Sequence, residues 1–381
     1  MRSSTSLSLL GTACLASACT PSPQPPPQLP WYAHQVVAAA DHTIVVTGVD
    51  PQIETGTIES AGNPIPLPVD PSTNETVPLM LPVATTVAVG AQHACVLSAF
   101  QVLCWGEDNK GALGARRACQ SASTCVLGPE VMPTLPPIRA IAAGSDVTCA
   151  IAMDDRVLCW GDASDGKLGG SVVSALDPPI EVTLTPGKPL LATSISISDS
   201  TACAIDHDGS AWCWGVGYGA APQHLAMLGV TDVAVNSDHG CAIAGGALAC
   251  WGNNANGQID ATAARACKDP AACTLPVTPI AGSFTHVAVG ARHTCALDGS
   301  GDVQCWGSNE LGQLGGGDAF LVGDPRVVLG RATAITAGTS HSCALDDANG
   351  AWCWGRCEPP RDHRRGARGG RRALAVRTRR R

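Results

Sequence analysis

Nineteen cysteines stand among 381 residues, and twelve of them form six pairs spaced nine or ten apart. The pairs are Cys95–Cys104, Cys149–Cys159, Cys203–Cys213, Cys241–Cys250, Cys295–Cys305 and Cys343–Cys353. A cysteine can be a nucleophile, a metal ligand or half of a disulfide. Zinc sites want cysteines two to four residues apart, which none of the twelve offers. A nucleophile needs a base and an orienting acid beside it. Disulfides fit best, and so many cysteines point to an oxidising compartment. Two further bridges are expected in insertions, Cys119–Cys125 in ACQSASTC and Cys267–Cys273 in ACKDPAAC. Cys14, Cys19 and Cys357 remain outside this scheme.

A second recurring group is histidine. His42, His93, His239, His293 and His341 each stand two residues before a cysteine, or before Ile44 in the first case. One histidine per repeat spreads the set around the molecule, whereas catalysis or metal binding needs convergence. The expected role is a structural hydrogen bond to the backbone of a neighbouring unit. Asp154-Asp155, Asp206-His207-Asp208 and Asp346-Asp347 read as turn formers. The chain has neither a Gly-x-Ser-x-Gly elbow nor a phosphate-cradling loop. The expectation is therefore no catalytic residue, no cofactor and no metal.

The elements that hold these residues come from a repeat. VAVGAQHACVLSAFQVLCWG at 87–106 recurs five times, which places the Trp of Cys-Trp-Gly at 105, 160, 214, 251, 306 and 354. A faded unit, VVAAADHTIVV, lies at 36–46, with Ile44 in the place of Cys95. Within each unit apolar alternation flanks a turn. Gly245-Gly246 is a two-residue hairpin loop of the I′ or II′ kind. Counting outward from it, Cys241 faces Cys250 at a non-hydrogen-bonded position, where side chains come closest. That register suits a disulfide.

The AxG strand, His-Thr-Cys-Ala-Leu at 293–297, Cys-Trp-Gly at 305–307 and Gly-Gln-Leu-Gly at 312–315 resemble the RCC1 (regulator of chromosome condensation) repeat family. The paired cysteines resemble its exported bacterial branch. The resemblance spans about residues 33–355 and implies an all-β, seven-bladed RCC1-like β-propeller of six clear repeats plus the degenerate N-terminal unit. That unit is expected to complete the blade begun by Trp354. The family's nucleotide-exchange residues lie outside the repeat consensus, and no motif here carries them. The resemblance further implies a platform for protein partners, a role some secreted bacterial members fill as β-lactamase inhibitors.

Residues 1–18 read as a signal peptide, with Arg2 ahead of a short apolar run. Leu15-Ala16-Ser17-Ala18-Cys19 resembles a lipobox with Cys19 as the lipidated residue; plain secretion is the alternative. Residues 19–32 read as a Pro-rich linker, PSPQPPPQLP being an extended spacer. The total charge is −8; the eleven arginines and two acids of residues 356–381 give +9, which leaves −17 on the rest. An acidic body is a poor nucleic-acid binder. The tail reads either as a basic disordered arm or as a frame-shifted extension. With 42 Gly, 28 Pro and 4% aromatics the composition argues against a helical bundle. The expectation is an exported, monomeric, non-catalytic scaffold at a bacterial outer membrane or cell surface, binding an unidentified protein and no nucleic acid, and touching membrane only through its anchor. The alternatives are a cell-envelope enzyme acting on polysaccharide and a nucleotide-exchange activity.

Overall fold

The computed structural model describes residues 33–40, 42–47, 57–62, 65, 86–108, 110–114, 126–132, 134–170, 179–260, 274–315 and 323–356. The signal and linker segments, Cys14, Cys19, Cys119–Cys125, Cys267–Cys273, Cys357 and the tail beyond Arg356 lie outside these residues.

The chain forms antiparallel sheets strung in sequence order. The first holds β1 (Ala33–Ala39), β2 (His42–Thr47) and β3 (Thr57–Gly62). Next come β4 (Thr86–Val89), β5 (His93–Ser98), β6 (Gln101–Glu107) and β7 (Val126–Val131). The third holds β8 (Ile138–Ala143), β9 (Val147–Ala152), β10 (Val157–Gly161) and β11 (Ile180–Glu181), with a side ribbon of β12 (Thr183–Thr185) and β13 (Lys188–Pro189). The fourth holds β14 (Ala192–Ile197), β15 (Thr201–Asp206), β16 (Ala211–Gly215) and β17 (Gly219–His224). The fifth holds β18 (Val230–Val235), β19 (His239–Ala244), β20 (Ala247–Asn253) and β21 (Thr274–Ile280). The sixth holds β22 (Phe284–Val289), β23 (His293–Asp298), β24 (Val303–Gly307) and β25 (Gly323–Leu329). The last holds β26 (Ala332–Ala337), β27 (His341–Asp346) and β28 (Ala351–Gly355).

Each sheet packs its inner strand on the sheet before it, and β1 packs on β26 and β27, so the ring closes. The sequence expectation needs correction here. Six blades, not seven, are built on the Cys-Trp-Gly hairpin. The N-terminal unit does not complete the sheet of Trp354. It forms its own three-stranded sheet beside it, because β2 pairs with β3 rather than with β28.

The hairpin register follows from the turns. Gly245 and Gly246 both have positive φ, 57° and 82°, and close the Ala244–Ala247 pair. Cys241 then opposes Cys250, and the same opposition recurs in the other five hairpins. Sulfur–sulfur bonds join all six pairs, with Cα atoms 4.0–4.1 Å apart. Each bridge closes a loop of about ten residues, worth on the order of 2–3 kcal/mol in the chain-entropy model.

Adjacent strand residues point to opposite faces, and Cys-Trp exploits this. Trp160 packs against Cys95 and Cys104 of the preceding sheet, and Trp214 against Cys149 and Cys159. Trp251, Trp306 and Trp354 meet the cystines before them in the same way. Trp105 packs on Ile44, which stands where a cysteine stands elsewhere. Each sheet thus offers its sulfurs as the floor for the next sheet's indole, a contact that adds to burial. Trp160→Ala should lower stability by about 3–5 kcal/mol, read as a shift in the urea midpoint.

Candidate functional site

The five repeat histidines are buried, and the structure gives each a role in joining sheets. His93 Nε2 meets Thr148 Oγ1 of the next sheet at 2.8 Å. His239 meets Thr294 at 3.1 Å, His293 meets Ser342 at 2.8 Å, and His341 meets Thr43 at 2.8 Å. His42 faces Ala94, which has no hydroxyl, and bonds the carbonyl of Gly90 instead at 2.8 Å. The expected partner was backbone; in four of five cases it is a side-chain hydroxyl. The hydroxyls of Thr148, Thr294 and Ser342 donate their one proton to the carbonyls of Ala112, Gln258 and Gln313. They must therefore accept from histidine, which places the ring proton of His93, His239 and His293 on Nε2.

The rule also works in reverse. Val147 and Thr201 stand where other sheets have histidine, and the residues facing them are Ala202 and Gly240, neither with a hydroxyl. Thr148→Val would leave His93 Nε2 unpartnered in a closed site, at a cost of about 1–3 kcal/mol. A urea melt against wild type measures it. Burial lowers the pKa of His93 to about 4, and of His239 and His293 to about 3, so all three are neutral in the fold.

The third residue of Cys-Trp-Gly is set by backbone. Gly106, Gly161, Gly215, Gly252, Gly307 and Gly355 have φ between 97° and 113°. At Gly161 a Cβ would come within 2.2 Å of the Asp146 carbonyl oxygen. The Gly-x-Leu-Gly turns also serve the neighbouring tryptophan: the indole N–H groups of Trp160 and Trp214 donate to the carbonyls of Ala112 and Lys167 at 2.8 Å. Every recurrent residue type is thus committed to architecture.

Function must then lie on what does not recur. The inner strands surround a cavity of about 450 Å³ lined by all seven sheets. Side chains stitch their edges: Gln35 bonds both the N–H and the carbonyl of Val87, and Asp232 accepts from the Val287 N–H at 2.8 Å. Burial raises the Asp232 carboxyl above the usual range, against its hydrogen bonds from Val287 and Val233. Among the described residues no group of three or more His, Cys, Asp or Glu is placed to hold a metal ion.

The ring has two rims. One gathers the first-to-second-strand turns and the Gly-x-Leu-Gly turns that follow the third strands. There Lys110 reaches Asp146 at 3.4 Å and Asp162 at 2.9 Å, and Lys167 reaches Asp162 at 3.0 Å. Burial works against the Asp162 carboxylate, yet the Ser164 N–H and the two ammonium groups hold its pKa well below the usual range.

The other rim gathers the hairpin turns. Here the acidic turns close on themselves: Asp206 and Asp346 accept backbone N–H groups of their own turns and the indole N–H groups of Trp212 and Trp352. Beside them runs an apolar arc. Phe100 is 58% exposed and Met153 53%. Both flank one connection, since the Phe100 carbonyl accepts from Ile138 and Met153 donates to Pro137. Leu191 extends the arc beside Asp155, and Leu228 continues it on the next link, 75% exposed. Arg139 and His207 both bond Asp155, at 2.8 and 3.0 Å, and edge the arc with charge. Phe100 is held at φ +66° behind Ala99 at +46°. The equivalent fifth-sheet turn is Gly-Gly.

Profiles of the regulator of chromosome condensation (RCC1) repeat match residues 101–151 and 300–345, and a second profile of the same repeat matches 138–167 and 284–313. The chain carries RCC1 repeats. The chain is similar to the human E3 ubiquitin-protein ligase HERC2, 28% identical over 263 residues, which are 63% of this chain and 5% of that protein. The ultraviolet-B receptor UVR8 of Arabidopsis thaliana is 26% identical over 212 residues, 49% of this chain and 45% of the receptor. The chain therefore spans a small part of the first relative and under half of the second. Among solved structures, Prp20p of Saccharomyces cerevisiae, described with its binding to Gsp1p and histones, superimposes with a TM-score of 0.60 at 20% identity over 71% of each chain. Human WBSCR16 gives 0.62 at 19% identity, over 77% of this chain and 84% of that one. These likenesses show an all-β RCC1-like propeller.

Proposed function

We propose that this chain is an exported, monomeric scaffold of the bacterial cell envelope, anchored through a lipid on Cys19, that holds a protein partner on its hairpin rim and catalyses no reaction. Phe100 carries the reading. A non-glycine residue at positive φ costs about 1–2 kcal/mol, and such strain collects at functional positions. Here it displays an aromatic ring to solvent at the connection through Pro137 and Ile138, on the rim that also exposes Met153 and Leu191. Exposed aromatic and Met side chains with charged neighbours are the make-up of protein interfaces. The binding of Prp20p to Gsp1p and histones supports protein binding as a use of such a ring. Six bridges support an oxidising location and hence export.

Phe100→Gly separates function from folding. Glycine relieves the turn, so the thermal midpoint should rise, by an amount equivalent to about 1 kcal/mol. Affinity for a partner isolated from the organism's own envelope or secreted proteins should fall at least tenfold. Unchanged affinity for Phe100→Gly and for Met153→Asp would move the site off this rim. Anchoring has its own test: palmitate should label the wild type, and Cys19→Ala should release the protein into the soluble phase. A wild type found wholly soluble would leave plain secretion.

A further inference from the structure

The inner strand of each sheet turns one edge toward the central cavity of about 450 Å³. Which main-chain groups that edge offers follows from the turns. The Ser198 N–H donates to the Thr201 carbonyl at 2.8 Å, as Gly144 does to Val147 and Gly90 to His93. Bonded and non-bonded pairs alternate away from such a turn. Ser196, opposite Cys203, therefore bonds β15, while Ile195 and Ile197 aim both N–H and carbonyl at the cavity. The same count selects Ile141 and Ala143 of β8 and Val87 and Val89 of β4.

Elsewhere in the ring a side chain of the preceding sheet covers such groups. Gln35 takes both the N–H and the carbonyl of Val87, and Thr336 accepts from Ala38. Ser196 accepts from Val235, and Asp232 from Val287. All four covered residues stand where the count sends main chain to the cavity. Between β8 and β14 this device is missing. These two strands are tied only at their ends, where Arg139 donates to the carbonyls of Ala192 and Thr193 and Ser145 donates to Asp199. Among the described residues nothing bonds the cavity-facing groups of Ile195 and Ile197. Residues 194–197 are half-exposed, whereas Val87, Ala88 and Val89 are buried.

A donor and an acceptor on each of two residues, one residue apart, form the edge that an antiparallel peptide completes. The lining suits small side chains, since Ala142, Ala143, Ala234, Ala288 and Ala337 belong to it and no described aromatic residue does. Charge sets the direction. Asp199 is the only charged side chain among the described lining residues, and it stands at the mouth just beyond the end of β14. A peptide antiparallel to β14 has its amino end at that mouth; a parallel one would bring a carboxylate there. We propose that the channel binds a short peptide of small residues, extended along the free edge of β14, with its terminal ammonium at Asp199. The inner strand β26 is also half-exposed, but its mouth residue Thr339 is uncharged and its main chain is bonded to Ala40 and Ala291. The site is independent of the hairpin-rim arc, whose Phe100 and Met153 do not line the cavity.

Calorimetry and hydrogen exchange on the full chain with tetra-alanine test this. The peptide should bind and, at saturation, slow exchange of the Ile195 and Ile197 amides about tenfold or more, while the Val235 amide, already bonded to Ser196, stays unchanged. Acetylating the peptide's amino end should weaken binding about tenfold, and Asp199→Asn should weaken the free peptide by a similar factor without affecting the acetylated one. N-methylation separates strand pairing from charge alone. Of two peptides methylated on the second or the third residue, only one should lose affinity by about tenfold, because alternate amides face β14. No binding, equal losses from the two methylations, or protection of Ile335 and Ala337 in place of Ile195 and Ile197 would overturn the proposal. Equal protection by maltose would overturn it too, since the channel would then take any small polar solute. Phe100→Gly should leave tetra-alanine binding unchanged, which keeps this result separate from the hairpin-rim reading.

Discussion

Acidification from pH 7 to 5 should unfold this protein or bring it close to unfolding. His93, His239 and His293 are buried and neutral, with pKa values of about 4, 3 and 3 set chiefly by burial. In the unfolded chain each returns to about 6.5. Below pH 6.5 the unfolded state therefore binds protons that the folded state refuses. Stability is complete above that value and falls as pH drops towards 4. The slope is about 1.4 kcal/mol per pH unit per histidine, so three histidines lose roughly 6 kcal/mol by pH 5. That is comparable to the whole stability of an ordinary domain. Asp146 lies near His93 and favours its charged form, which trims the effect there. Asp108, whose carboxyl burial pushes up to about 6, works in the opposite direction over part of the window and offsets a fraction. Urea midpoints at half-unit pH steps measure the slope. His293→Gln keeps an N–H for Ser342 but cannot titrate, and should flatten the curve by one proton. A curve equally steep in that variant would show that His293 does not contribute.

Gly161→Ala should be among the most damaging methyl groups that can be added to a repeat. The residue sits at φ +113°, where L side chains are strained, and the new Cβ would meet a backbone oxygen at 2.2 Å. Backbone cannot swing aside as a flexible side chain can, so the third strand must shift and lift Trp160 from the preceding cystine. We expect a loss of about 3 kcal/mol or more. Gly245→Ala is the control. Its φ is also positive, at +57°, but a Cβ there meets nothing within 4 Å, so the cost should be about 1 kcal/mol. Calorimetric midpoints of the two variants separate strain from collision. Equal losses would mean that the close approach to Asp146 is relieved without moving the strand.

Much of this architecture is legible in the sequence because its rules are local. A Gly-Gly turn fixes the pairing of Cys241 with Cys250 by counting, and alternation along a strand then sends Trp251 to the opposite face. The histidines were legible as structural for the same reason, since a feature that recurs once per unit cannot converge. Their hydroxyl partners were not read, although a signal was there: the residue after the histidine position is Thr or Ser wherever the preceding unit has histidine, except at Ala94. It spans two units, so reading one unit at a time hides it. The separate N-terminal sheet was missed because β3, Thr57–Gly62, has no cysteine or tryptophan to mark it. The hairpin-rim arc was hidden for a different reason. Phe100, Pro137, Met153 and Leu191 are unremarkable singly and far apart in the chain. Only the ring brings the turns carrying them together.

The same ring decides what the tail does. Deleting residues 356–381 should leave the thermal midpoint essentially unchanged, while removing residues 334–355 as well should open the ring and expose sheet edges that aggregate. An equal fall in both truncations would place the tail within the fold.

Non-reducing peptide mapping of the isolated protein tests the central claim most directly, that each repeat spends its cysteines inside its own hairpin and leaves the rims for function. The account predicts Cys95 with Cys104, Cys149 with Cys159, Cys203 with Cys213, Cys241 with Cys250, Cys295 with Cys305 and Cys343 with Cys353, and none of these twelve as a free thiol. Cysteines of different sheets joined to one another, or free thiols at these positions, would contradict the hairpin register on which the ring, the tryptophan contacts and the assignment of the two rims all depend.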